Sequence, residues 1–271
     1  MVYLLLSYNC IVLLAIDVGN TNIHIGVFDD GNLLGNIRLS TDLRRLQDEY
    51  TVLLMSALSI KGIDCKSIHG VSICSVVPPI TTVINQLCIE QFKKTPLIVG
   101  AGVKTGVRIL TENPRFVGTD RIVDAAAAYR IYGGPAIVVD FGTATSFDAI
   151  SSNGDFLGGA IAPGITVAAE ALHQSAAQLR RVEISPPTSA IGKNTISSMQ
   201  SGIYFGSISM VEGMVARFKQ ELGMNTKVIA TGGLAQSMAN GTQIFNAVNQ
   251  DLTLHGLRMI YELNQEPKVT L

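Results

Sequence analysis

Asp17-Val18-Gly19-Asn20-Thr21-Asn22 sets a carboxylate at the end of an apolar run, then a glycine, then small neutral donors. That pattern suits a phosphate-binding turn, because the glycine lets backbone N–H groups approach an anion closely. A bare carboxylate repels phosphate, so Asp17 suits the coordination shell of Mg2+, directly or through water. The same letters also describe a plain Asp/Asn hairpin turn. Asp140-Phe141-Gly142-Thr143-Ala144-Thr145 repeats the pattern. Two such loops facing each other can clamp a polyphosphate. Asp140 then suits a second cation, or it caps a turn.

Gly118-Thr119-Asp120-Arg121 follows Asn113-Pro114-Arg115 and precedes an alanine-rich stretch. Asp120 stands where a helix N-cap belongs. At a cleft it can instead take the proton of an attacking hydroxyl. Arg121 can neutralise a substrate carboxylate or a transferring phosphoryl group. Thr231-Gly232-Gly233 can let an adenine lie against backbone, or be an ordinary turn. Gly192-Lys193-Asn194-Thr195 can touch substrate, or be a solvated loop. His24, His69, His173 and His255 share no catalytic spacing. G-x-x-x-x-G-K-[ST] is absent, which excludes a Walker-type site. Cys10, Cys65, Cys74 and Cys88 form no C-x-x-C pair, so buried thiols in a reducing compartment are expected.

The elements that must position these residues follow from an internal repeat. Leu13 to Gly35 echoes Ala136 to Gly159: Asp17 aligns with Asp140, Gly19 with Gly142, Gly31 with Gly154, Leu34 with Leu157 and Gly35 with Gly158. Each copy reads as apolar strand, Asp-x-Gly turn, alternating strand, glycine hairpin and third strand. Strands are expected over 11–16 and 228–231. Helices are expected over 48–60, 80–92, 121–132, 166–179, 197–222 and 246–262. The chain divides into an N-terminal lobe, 1–130, with the first phosphate loop and the substrate motif, and a C-terminal lobe, 131–271, with the second phosphate loop and the adenosine region. Two related lobes invite a ligand cleft between them.

Composition agrees. Of 271 residues 26 are glycine, 47% are hydrophobic and only 15% are charged. Average soluble proteins carry roughly 25% charge. The net charge of −1 offers no basic field for nucleic acid or an anionic membrane. Residues 1–16 are apolar but shorter than a spanning helix and lack a cationic signal region. Residues 1–10 are an extra strand, a frayed extension or an upstream start.

DVGNTN, GTDR and DFGTATSFD, in that order, with the later GKNT and TGG, resemble type III pantothenate kinase from about Leu13 to Leu263. The resemblance implies an α/β fold of two duplicated actin/Hsp70-like (ribonuclease H-like) lobes with mixed sheets and an inter-lobe cleft. It implies ATP-dependent phosphorylation of pantothenate, the first step towards coenzyme A, by a cytoplasmic homodimer using ATP, Mg2+ and a monovalent cation, K+ or NH4+. Carried over by motif, Asp17, Val18, Gly19, Asn20, Thr21, Asn22, Ile23 and His24 form the first phosphate loop. Gly142 and Thr143 bind ATP, and Asp140 holds the monovalent cation. Gly118, Thr119, Asp120, Arg121 and Thr195 contact pantothenate, with Asp120 the proton acceptor and Asp17 and Arg121 its catalytic companions. The family commonly has a Tyr seven residues before the Gly of G-x-D-R, where this chain has Thr111. That aromatic wall is missing or supplied elsewhere. Members of the family also resemble the Bvg accessory factor, a regulator of gene expression. The intact Asp17, Asp120 and Asp140 favour the kinase. A kinase for another small hydroxyl substrate is the other rival.

Overall fold

Strand β1 (Val12–Val18) is buried at every residue except Asp17, as a strand covered on both faces must be. The computed structural model describes residues 12–175 and 179–265. The expectation for residues 1–10 and the end of the 166–179 helix fall outside the described residues.

β1 pairs antiparallel with β2 (Asn22–Asp29), which pairs with β3 (Asn32–Ser40). Helix α1 (Gln47–Ile60) leads to β4 (Ile68–Ser75), parallel to β1. Helix α2 (Pro78–Phe92) leads to β5 (Leu97–Ile98). The strand order is β3-β2-β1-β4-β5. Leu14, Ile16, Val18, Ile23, Ile25 and Ile73 form one core with Tyr50, Leu54 and Leu58 of α1 and Ile80, Ile84 and Leu87 of α2.

After α3 (Thr119–Tyr132) the pattern recurs: β6 (Ala136–Phe141), β7 (Ala144–Ile150), β8 (Phe156–Pro163), α4 (Ile165–Ser175), α5 (Thr195–Leu222), β9 (Lys227–Thr231), α6 (Ala235–Ala239) and β10 (Ala247–Val248). The second sheet runs β10-β9-β6-β7-β8, the same connectivity as the first. One of its faces packs on α5 through Tyr204, Ile208, Val211 and Val215. The other packs on Ala125, Ala127 and Ala128 of α3. Helix α7 (Leu252–Leu263) ends the described fold. Two compact units result: residues 1–105, 118–120 and 257–271, and residues 106–117 and 121–256. The division passes through α3 between Asp120 and Arg121. Among the described residues no helix is long and apolar enough to cross a membrane.

The helix expected over 246–262 starts only at Leu252. Its first residues pair with β9 instead: the Asn246 N–H donates to Val228 O and the Asn249 N–H to Ala230 O. Thr166–Leu179 is helical only to Ser175 among the described residues.

The repeat is real, but its register slips by one residue in the middle strand. Asp17 pairs with His24, whereas Asp140 pairs with Ser146. The second turn is tighter because the Gly142 N–H closes on Ala144 O, two residues on; the Gly19 N–H closes on Asn22 O, three on. A uniform offset would align Ile25 with Asp148. The observed register aligns it with Phe147, a core residue. The lost residue returns at the next hairpin. Four residues separate Phe28 from its partner Leu33, and five separate Ile150 from Phe156. Beyond it, a bulge falls at the equivalent leucines, Leu34 and Leu157.

Both hairpins turn on a glycine with positive φ, +83° at Gly31 and +84° at Gly154. Gly31→Ala puts its new methyl in ordinary contact, 3.7 Å from Arg258 Nη1, so it costs little beyond the left-handed backbone penalty of about 1–2 kcal/mol. Gly154→Ala costs more, since its methyl would lie 2.6 Å from the Tyr129 ring. Chemical denaturation of the two variants should show that order.

Candidate active site

Two carboxylates meet in the first unit. Asp17 is the penultimate residue of β1, and β4 lies beside it in parallel register, with Cys74 opposite. The Cys74 thiol donates to Asp17 Oδ1 at 3.1 Å. One residue on, the Ser75 carbonyl accepts from the Thr119 hydroxyl at 3.1 Å, which ties the first turn of α3 to the same strand end. Asp120 follows Thr119. It is the second residue of the helix, two places inside the N-cap position expected for it, where the positive helix end favours a carboxylate. Burial pushes the Asp17 carboxyl up to about 7; the Cys74 hydrogen bond offsets part of this, and the like charge of Asp120 adds to it.

The loop after Asp17 is held from the residue that follows β3. The Thr41 hydroxyl donates to Gly19 O at 2.7 Å, and the Thr41 N–H to Thr21 O at 2.9 Å. Asn20, Thr21 and Asn22 are exposed, as ligand donors must be. Val18 and Ile23 are core residues and can meet a ligand only through backbone. His24 sits opposite Asp17, its Nε2 2.9 Å from Asn36 Oδ1.

In the second unit Asp140 occupies the equivalent place, and its register partner on β9 is Thr231. Gly232 (φ +90°) lies so close that any side chain there would overlap Asp140 Oδ1. A Cβ on Gly142 would stand 3.3 Å from Oδ2. Thr231-Gly232-Gly233 therefore has a structural duty, seating the Asp140 carboxylate. Gly142 and Thr143 are exposed, and Gly164 backs their loop, with Gly142 O 2.7 Å from the place of its absent Cβ.

Arg121 reaches across α3 to Asp148 on β7. Its Nε donates to Asp148 Oδ1 at 2.7 Å, and Nη2 pairs with the same carboxylate. The guanidinium lies 5.3 Å from the Phe156 ring centre. In the same unit, Thr111 has a buried hydroxyl with no hydrogen-bond partner, and its Cγ2 is 3.8 Å from where a Gly158 Cβ would sit. Thr195 opens α5, exposed, just after Asn194, whose side chain caps the helix at the Ser197 N–H.

Thr41, Cys74 and Asp148 were missed from the sequence. Asp148 stands inside the quoted DFGTATSFD motif, so a signal existed for it. Thr41 and Cys74 carry none, since only strand pairing brings them to residues 17–21.

A family model described as type III pantothenate kinase matches residues 13–217. The type III pantothenate kinase of Dehalococcoides mccartyi is 50% identical over 253 residues, spanning 93% of this chain and 96% of the relative. That of Moorella thermoacetica is also 50% identical, spanning 93% and 100%. Among solved structures, a Campylobacter jejuni protein described as a Baf family transcriptional activator is 19% identical with a TM-score of 0.58, covering 93% of this chain and 98% of its own. Component A of the Acidaminococcus fermentans (R)-2-hydroxyglutaryl-CoA dehydratase is 14% identical with a TM-score of 0.52, covering 91% and 95%. These two share the fold.

The raised Asp17 pKa has a signed consequence. The folded protein holds a proton there that the unfolded chain releases, so this site's stability is present below about pH 4 and lost as pH rises through about 7. In the absence of nucleotide and divalent cation, Asp17→Asn should melt above wild type at pH 8, with the excess shrinking towards pH 4. An excess that grows on acidification would contradict this.

Proposed function

Since the chain belongs to the type III pantothenate kinase family, we propose that it phosphorylates pantothenate with Asp120 as the base and Asp17 beside the phosphates. The enzyme transfers the terminal phosphoryl group of ATP to the primary hydroxyl of pantothenate, giving 4'-phosphopantothenate for coenzyme A synthesis. Such transfers leave little covalent work to the protein; positioning and charge stabilisation do most of it.

The observation that carries the residue assignment is the closeness of Asp17 and Asp120, near enough for the Asp120 charge to raise the Asp17 pKa. Two carboxylates brought together are a ready oxygen-donor set for a hard divalent ion, so the site fits Mg2+. Asp17 would hold it, directly or through water, and the ion would supply charge neutralisation at the phosphates. Asp120 orients the acceptor hydroxyl and takes its proton. The exposed Asn20, Thr21 and Asn22 bind phosphate, as do Gly142 and Thr143 in the second unit. Gly118, Thr119, Arg121, Thr111 and Thr195 contact pantothenate. Asp140 would hold a monovalent cation, K+ or NH4+, and supply the negative charge that binds it. The working enzyme is a cytoplasmic homodimer.

A coupled assay of ADP release tests this directly. Asp120→Asn should lower kcat at least about 100-fold while melting like wild type; near-normal turnover removes Asp120 from the mechanism. Activity should be higher in K+ than in Na+, and loss of Asp140 should abolish the preference. A buried hydroxyl without a partner costs about 1–3 kcal/mol, which a substrate polar group would relieve at Thr111. Thr111→Val should therefore melt no lower than wild type, yet raise the KM for pantothenate about fivefold. Competition between pantothenate and sugars in the same assay separates this reading from a kinase of other acceptors.

A further inference from the structure

Asp148 on β7 stands on the sheet face that also carries the apolar Ile150 of β7, Phe156 of β8 and Val138 of β6, and its side chain is 1% exposed. A carboxylate there is unfavourable unless it is paired. Its partner is Arg121, whose Nε and Nη2 both address Oδ1. Two further features confine the guanidinium. The Phe156 ring lies 5.3 Å away. Gly159, opposite Asp148 in the β7–β8 register, leaves the space the fork needs, since a Cβ there would stand 2.6 Å from Arg121 Nη2 and 3.0 Å from Asp148 Oδ1.

A buried pair of this kind is weak evidence for stability, because the cost of removing both charges from water offsets their attraction. What it does fix is direction, since the guanidinium is a planar fork with its donors set at fixed angles. Its positive charge is already balanced by Asp148. An acceptor carboxylate meeting Arg121 is then recognised through aimed N–H groups and not through an uncompensated positive field.

We propose that Asp148 is a positioning residue for the known reaction, holding Arg121 in the one orientation that recognises the carboxylate end of the acceptor. The proposal rests on the reading of Arg121 as a pantothenate contact. The residue acts through Arg121 and touches no reacting atom. A longer or uncharged side chain at position 148 should spoil recognition of the carboxylate while leaving nucleotide binding alone.

The test compares wild type, Asp148→Glu, Asp148→Asn and Arg121→Ala, each with pantothenate and with its analogue bearing a primary alcohol in place of the carboxylate. Asp148→Glu keeps the ion pair, and so the fold, but displaces the guanidinium by about a methylene. It should raise the KM for pantothenate about tenfold, the scale of one weakened hydrogen bond to a charged group, with the KM for ATP and for the alcohol analogue within about twofold of wild type. Asp148→Asn should show the same selectivity. An unchanged pantothenate KM in folded Asp148→Glu overturns the proposal. So does an equal rise for both acceptors, or a lowered melting temperature with both KM values unmoved, either of which marks a purely structural pair. Arg121→Ala separates the two levels. If it leaves the pantothenate KM unchanged, the contact reading falls. If it raises that KM and Asp148→Glu does not, the positioning role alone falls.

Discussion

A carboxylate at the end of a strand whose other residues are all buried is the constraint around which this protein is arranged. β1 can exist only because its apolar residues pack on both faces, and Asp17 is carried inward with them. Among the described residues no lysine or arginine pairs with that charge. The molecule supplies one thiol donor and places a second acid, Asp120, nearby. An electrostatic strain of this sort is relieved by a bound cation, which makes such a site more stable loaded than empty. The parallel pairing of β1 with β4 is what makes it possible, because it brings the carboxyl ends of both strands together.

The second copy answers the same constraint differently. Cys74 beside Asp17 becomes Thr231 beside Asp140, and the carboxylate is seated against backbone where only glycine fits. Elsewhere the weakly charged chain settles its charges pairwise, Arg108 with Asp155 and Arg121 with Asp148. A net charge near zero is thus compatible with an anionic ligand, since local backbone and side-chain donors need no basic surface.

The repeat, its two Asp-x-Gly loops and most helices were legible because each leaves a short-range signature: a glycine at a fixed place, an apolar run, an alanine-rich stretch. β4 was not, although its counterpart over 228–231 was. Ile68–Ser75 is buried on both faces and shows no alternation, and its glycine and serines dilute the apolar signal. β5 and β10, two residues each, are too short for any period to register. At the site, the acids were legible and their partners were not. Asp17 meets Cys74 through strand pairing across 57 positions, and Arg121 meets Asp148 through helix-on-sheet packing across 27. Spacing along the chain carries neither relation.

The slipped middle strand has a consequence for anyone recombining the halves. The shortened turn before β7 and the lengthened hairpin after it are a matched pair of indels, and each is tolerable only with the other. Exchanging one turn alone between the copies would rotate the whole strand by one position and invert it, driving its core side chains outward and its polar ones into the packed layer. A chimera must therefore carry turn, strand and hairpin together as one cassette. Tracing the ancestry of the duplication requires a gapped comparison, since the ungapped one matches the strand to its own reverse face.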